Sequence, residues 1–230
     1  MGATPYINHC SNNEETGSCF KVLTEQEKLL FENNRTEINF TKGETVIKQG
    51  TRSSDILYLK SGLVKISIQK GDSNLIICVK TKNHFLGTEN IYGYEYHPYT
   101  VTALEDSTIC FIDTNAIRQL IKQNNNFNIE LYRIMTNNSL LVYDLFFSLT
   151  QKQLHGRFAD ILLCLSDRVF KSKKFDLPLS RKDLASLTGM APESVIRIIK
   201  DFKTDKIIMT KGKRIEILNE ALLQKISDVG

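Results

Sequence analysis

The sequence predicts an α+β chain built as an antiparallel β-roll of jelly-roll type, one long helix and a C-terminal helix-turn-helix with a β-hairpin wing. Three observations predict it. Between Glu37 and Ile112, short β-rich runs alternate with turn residues. From about Asn126 to Thr150 a helical stretch places selected side chains at alternating steps of four and three. Residues 180 to 202 then read as helix, tight turn and second helix, followed by a basic hairpin.

Residues 1–20 are polar, lack sustained periodicity and read as an arm lying on the following domain. Leu23 to Phe31 reads as a short amphipathic helix, with Thr24 as N-cap and Glu27 three residues later. The strand signals are Thr45–Ile47, Ile56–Leu59, Leu63–Ile68, Leu75–Val79, Thr100–Leu104 and Thr108–Ile112. Short strands at such regular spacing imply a barrel or double-layered roll. The expected domains are an arm over 1–20, a roll over 21–118, a long helix over 119–151 and a winged helix-turn-helix over 152–230.

In the long helix, Phe127, Leu131, Ile134, Asn138, Leu141 and Leu145 form a seam repeating every 3.5 residues, a coiled-coil signature in which one Asn sets register. The expectation is a parallel homodimer along this seam; packing of the helix on its own roll is the alternative. Gln151 to His155 forms a joint, Arg157 to Phe170 a supporting helix, and Lys171 to Lys174 a basic loop.

Ser180 with Asp183 makes a helix-starting capping pair, Gly189 suits the turn, and Pro192 fits the first turn of the next helix. Val195, Ile198, Ile199 and Phe202 then form a buried stripe, which leaves Glu193, Ile196, Arg197 and Lys200 on the opposite face. That face suits a major groove. Arg197 can donate two hydrogen bonds to guanine, Glu193 can accept one from cytosine, and Ile196 can touch a thymine methyl. Lys200 is placed for phosphate; Arg181, Ser194, Lys211 and Lys213 complete the expected DNA-contacting set. A solvated charged helix face is the bland alternative, and the exposed Ile196 and the basic hairpin Lys211 to Ile217 argue against it.

Composition agrees. Before Gln151 there are 14 Lys+Arg against 16 Asp+Glu, and from Gln151 onward 16 against 10, so net charges of −2 and +6 place a polyanionic partner at the C-terminal module. No apolar run of membrane-spanning length and no secretory signal are visible, so a cytoplasmic protein is expected. The cysteines, Cys10, Cys19, Cys78, Cys110 and Cys164, are odd in number and scattered, which argues against a disulfide framework. An enzyme on a cupin-like roll would need clustered histidine and carboxylate ligands, yet His9, His84, His97 and His155 are dispersed and no catalytic or phosphate-loop motif appears. A non-enzymatic DNA-binding protein is expected; an effector-free architectural protein is the other form of that reading.

The order of roll, long helix and winged helix-turn-helix resembles the Crp/Fnr family of bacterial transcription regulators, over essentially the whole chain. The resemblance is carried by Gly189-x3-Glu193-Ser-Val-x-Arg197, by Gly43-Glu-x3-Lys-Gln-Gly50, Tyr58-x2-Ser-Gly62 and Phe85-Leu-Gly87. It implies a cyclic-nucleotide-binding-like roll under allosteric control, a homodimer on a palindromic operator with a G·C pair read by Glu193 and Arg197, and RNA polymerase as a further partner. The nucleotide-binding members carry an Arg-Ser pair where this chain offers His97-Pro98-Tyr99-Thr100, which implies that cyclic nucleotide is not the effector. Cys10, Cys19 and Cys110 resemble cysteines of the oxygen-sensing branch, which implies an iron–sulfur cluster; the middle arm cysteine falls on Asn13. Hydrophobically packed thiols are the alternative, and haem on His84 or His97 is a third sensor option.

Overall fold

The computed structural model describes residues 17–230, which cluster into two compact units, one of residues 17–73 and 79–139, the other of residues 74–78 and 140–230. The first begins with two short helices, α1 (Gly17–Lys21) and α2 (Glu25–Asn33). The capping pair read from the sequence is formed: Thr24 Oγ1 accepts from the Glu27 amide, and Glu27 returns a carboxylate to the Thr24 amide at 2.7 Å. Two backbone donors at the helix start are thereby satisfied reciprocally.

Eight strands follow: β1 (Arg35–Phe40), β2 (Thr45–Ile47), β3 (Asp55–Ser61), β4 (Leu63–Lys70), β5 (Ser73–Thr81), β6 (His84–Leu86), β7 (Thr100–Ala103) and β8 (Ser107–Asp113). They form two four-stranded sheets, ordered β1-β8-β3-β6 and β2-β7-β4-β5. All six strand signals fall inside or across these elements. The edge strand β1, exposed over most of its length, is recruited by β8, in register from Arg35 opposite Ile112 to Phe40 opposite Ser107. Gly62 turns β3 into β4 at φ +95°, where a Cβ would stand 2.1 Å from Ser107 Oγ, so only glycine lets this turn lie against β8.

The roll is closed by α3 (Thr114–Gln123), capped by Asp113, and by the start of α4 (Asn125–Gln151). Here the structure corrects the expected dimer seam. Phe127, Leu131 and Ile134 are buried in the unit's own core with Cys19, Leu23, Phe31, Ile56, Phe85, Cys110 and Leu120. A side chain buried within its own chain is not available to a partner helix, so these positions are core. Asn138 accepts a hydrogen bond from Lys80 Nζ at 2.7 Å, Leu141 is half-buried and Leu145 buried. The face left in solvent carries Ile129, Tyr132, Leu140, Tyr143, Phe146 and Phe147. Ile129 lies two residues beyond Phe127, roughly 200° around the helix. The 3.5-residue pattern was real, but it faces inward. At the end of the expected arm, Gly17–Lys21 is helical and Cys19 buried; the rest of it lies outside the described residues.

In the second unit, α5 (Leu154–Cys164) runs into a π-turn (Leu165–Val169), then β9 (Lys174–Asp176), α6 (Arg181–Thr188), α7 (Pro192–Thr204), β10 (Ile208–Lys211), β11 (Arg214–Ile217) and α8 (Glu220–Val229). The three short strands make one sheet, ordered β10-β11-β9. Val195, Ile198, Ile199 and Phe202 are buried as the helical spacing predicts, with the Phe202 ring 5.8 Å from that of Phe158 on α5. A polar network ties α4, α5 and α8 together. The Asp160 carboxylate accepts from Ser148 Oγ at 3.1 Å, from Lys152 Nζ at 2.8 Å and from Ser227 Oγ, and Lys152 also donates to the Ser227 carbonyl at 2.6 Å.

Candidate nucleic-acid interface and sensor residues

The geometry of the helix-turn-helix is fixed by the ends of α6 and α7. Ser180 and Asp183 cap α6 reciprocally. Gly189 ends it in the left-handed conformation, at φ 62°, and a Cβ there would meet Leu149 Cδ2 at 2.8 Å. The same turn is gripped from α5, where Arg157 donates from Nε to the Lys152 carbonyl at 2.9 Å and from NH1 to that of Thr188. Pro192 then occupies the first turn of α7, where its missing N–H costs nothing. These contacts leave α7 with one face packed and the other in water.

That outer face holds the expected residues together. Glu193, Ile196, Arg197 and Lys200 are exposed on α7, with Ser194 half-buried at its start and Arg181 exposed at the start of α6. Ile196 is 57% exposed, an apolar side chain among charges with no fold role to explain it. The hairpin of β10 and β11 turns at Gly212, φ 62°, and exposes Lys211 and Lys213. Neighbouring wing charges are engaged within the fold: Arg214 with Asp176 at 3.0 Å, and Lys174 with Glu216 at 3.0 Å. Among the described residues no such ion pair holds Arg181, Arg197, Lys200, Lys211 or Lys213, so these cations are available to phosphate and base edges.

In the roll, the Gly87 loop is tied to Tyr99. The Gly87 amide donates to Tyr99 Oη at 2.8 Å, and that hydroxyl donates to Glu89 at 3.2 Å. A hydroxyl and a carboxylate thus stand together at the Gly87 loop. Of the two histidines, His84 is buried with Nδ1 2.8 Å from the Thr81 carbonyl. His97 is buried as well, and desolvation holds its imidazole below the usual range despite the nearby Asp55. Sequence reasoning missed Tyr99 as the group that occupies the Gly87 amide; its signal was the tyrosine two residues beyond His97.

Of the cysteines expected to form a ligand set, Cys19 and Cys110 are among the described residues. Cys19 is fully buried, and burial first, then the Glu130 carboxylate, pushes its thiol up to about 12. Burial also raises the Cys110 thiol, against a hydrogen bond that Arg35 NH1 donates to its Sγ at 3.2 Å. No group of three or more His, Cys, Asp or Glu able to hold a metal occurs among the described residues. Cys10 and Asn13 lie outside them.

Similarity to known proteins agrees with this geometry. Residues 37–124 match the cyclic nucleotide-binding domain family and residues 156–226 the Crp-like helix-turn-helix domain family. The transcriptional activator protein FnrA of Stutzerimonas stutzeri is 25% identical over 218 residues, covering 92% of this chain and 89% of that one. The fumarate and nitrate reduction regulatory protein of Vibrio cholerae is 27% identical over 193 residues, covering 82% and 77%. The solved structure of FixK2 from Bradyrhizobium japonicum superposes with a TM-score of 0.77 at 19% identity, over 84% of this chain and 96% of that one. Fold, interface and relatives together define a two-domain transcription regulator rather than an enzyme. The chain belongs to the Crp/Fnr family.

Proposed function

We propose that the protein binds a two-fold DNA operator as a homodimer, reading a G·C pair in each half-site with Glu193 and Arg197. The observation that carries this is the outer face of α7, where Glu193, Ile196 and Arg197 stand exposed beside cations that the fold leaves available. Carboxylate, guanidinium and apolar contact are the three chemistries that separate base pairs in the major groove. The exposed row on α4 supports dimerisation. Six large apolar side chains on one 27-residue helix, Ile129, Tyr132, Leu140, Tyr143, Phe146 and Phe147, form a stripe that a second copy would cover. Selection of bound sequences from random DNA tests this reading: an inverted repeat with G·C pairs at one fixed distance from its centre is expected, and a non-palindromic or degenerate result overturns it.

Cyclic nucleotide is not the effector in this reading, because Tyr99 and Glu89 stand where a phosphate-binding cation is needed. A competing sensor reading places an iron–sulfur cluster on Cys10, Cys19 and Cys110. Iron and sulfide content after anaerobic purification decides it. Among the described residues no helix is long and apolar enough to cross a membrane, and the operator reading places the protein in the cytoplasm with the chromosome. RNA polymerase is the expected partner at the promoter, tested by transcription in vitro from an operator-bearing template.

A further inference from the structure

Where β3 begins and β8 runs into α3, a cavity of about 510 Å³ is lined by Asp55, Asn90, Tyr94, Asp113 and Arg118. That size suits a small organic ligand. Asp55 and Asp113 are register partners on the two strands. They alternate with the buried Ile56 and Ile112, so both carboxylates leave the sheet on its outer face. Like charges placed opposite each other repel. Asp55 accepts from the Ser54 hydroxyl at 2.6 Å and Asp113 from the Asn115 amide at 2.8 Å, both neutral donors. Among the described residues neither carboxylate is in an ion pair.

The remaining charges on the lining do not cancel this pair. Arg52 and Glu95 engage each other at 3.1 Å and leave no net charge. Arg118 is held by neutral acceptors, donating from Nε to the Ile91 carbonyl at 2.9 Å and from NH2 to the Asn90 carbonyl at 3.1 Å. Among the described residues it too is in no ion pair. The cavity therefore carries two carboxylates and one guanidinium without counter-ions, an excess of one negative charge. Its complement is a small molecule with two cationic groups and one anionic group, since a plain anion meets two like charges and a plain diamine meets Arg118.

Asn90 supplies an independent sign of a ligand. Its side chain is 3% exposed, and Nδ2 donates to Ser53 Oγ at 2.6 Å. Ser53 Oγ gives its own proton to the Asp55 carbonyl at 3.1 Å, so the nitrogen of the amide, not its oxygen, must face the serine. Oδ1 is then left buried with no hydrogen-bond partner among the described residues. A buried amide oxygen without a donor is costly, and an ammonium brings three donors. Tyr94 adds a 57% exposed ring to the same lining, a face on which a cation can rest.

We propose that this cavity binds a basic amino acid, its two cationic groups taken by Asp55, Asp113 and the Asn90 amide oxygen and its carboxylate by Arg118. The site stands apart from the operator-binding reading and does not depend on it. Calorimetric titration of the full-length protein with L-lysine, L-ornithine and L-arginine tests it, beside L-norleucine, which lacks the side-chain ammonium, and 1,5-diaminopentane, which lacks the carboxylate. At least one of the three basic amino acids should bind at one site per chain and raise the melting temperature. Norleucine and the diamine should each bind at least about tenfold more weakly, because each forfeits a charge-assisted contact. Asp55→Asn, which keeps the side-chain shape, should weaken the amino acid and the diamine alike. Arg118→Gln should weaken the amino acid and not the diamine. Absence of saturable binding by all three amino acids overturns the site, as does binding indifferent to both variants. Norleucine or the diamine binding to the wild type as tightly as the basic amino acid overturns the ligand class, and this comparison stands even if a variant fails to fold.

Discussion

Lys80 on β5 donates from Nζ to Asn138 Oδ1 on α4 at 2.7 Å, and the lysine is only 3% exposed. The long helix is thus held to the roll by a buried ammonium as well as by Phe127, Leu131 and Ile134. In a coiled-coil seam, replacing Asn138 with an apolar residue would raise stability. In this structure it removes an acceptor from a buried cation. Asn138→Leu should therefore destabilise by about 1–3 kcal/mol, read as a lower midpoint in urea unfolding with little change in slope. A more stable variant would restore the seam reading.

The dimer surface is tested on the opposite face of α4. Tyr143→Arg or Phe147→Asp introduces a charge on the exposed stripe without entering the core of either unit. Sedimentation at micromolar concentration should show a monomer with an unchanged circular dichroism spectrum, and operator affinity should fall because half-sites are no longer bound as a pair. Dimers that survive both substitutions would remove this stripe from the interface.

Base reading and phosphate contact should separate experimentally. Arg197→Ala is expected to cost roughly 1–3 kcal/mol on the operator and to relax preference at the G·C pair. Lys213→Ala, on the exposed wing turn, should weaken all sequences alike and reduce the salt dependence of binding by about one counterion. Competition binding across single-base operator variants at several salt concentrations distinguishes the two outcomes.

Glu27 gives a pH signature. Its carboxyl is held below the usual range by the hydrogen bond from the Thr24 amide first, then by Asn124. A carboxylate with a depressed native pKa binds fewer protons folded than unfolded, so the stability it contributes is present above its unfolded value, about pH 4. It is lost as pH falls through the native value. Melting curves of wild type and Glu27→Gln should differ near neutrality and converge on acidification below that window. A gap of constant size down to strongly acid pH would show that the carboxylate charge is not what matters.

Much of this was legible along the chain because the signals are local. Thr24 with Glu27, Ser180 with Asp183, Gly189 and Pro192 specify helix ends through contacts within a few residues, and each behaves in the structure as its spacing predicts. The recognition face was readable for the same reason: Val195, Ile198, Ile199 and Phe202 define the packed side of α7, and Glu193, Ile196, Arg197 and Lys200 are what remains. Less legible were β1, β6, α3 and α8. β1 has only two apolar side chains, Ile38 and Phe40, and no buried face, and the three-residue β6 is defined by its pairing with β3 rather than by a pattern of its own.

The sequence by itself determined the α+β class, the order of roll, long helix and winged helix-turn-helix, and which face of α7 is left exposed, because capping, turn chemistry and helical period act over short chain distances. Tertiary structure decided which of two apolar faces of α4 is core. Period alone marks Phe127, Leu131 and Ile134 as a stripe, but whether it meets a second helix or the protein's own roll depends on Cys19, Leu23, Phe31 and Cys110, brought there from distant parts of the chain. It also decided that Tyr99 takes the Gly87 amide and that Cys19 and Cys110 are desolvated thiols. Burial and hydrogen-bond partnership are properties of the folded surroundings, and residue spacing does not encode them.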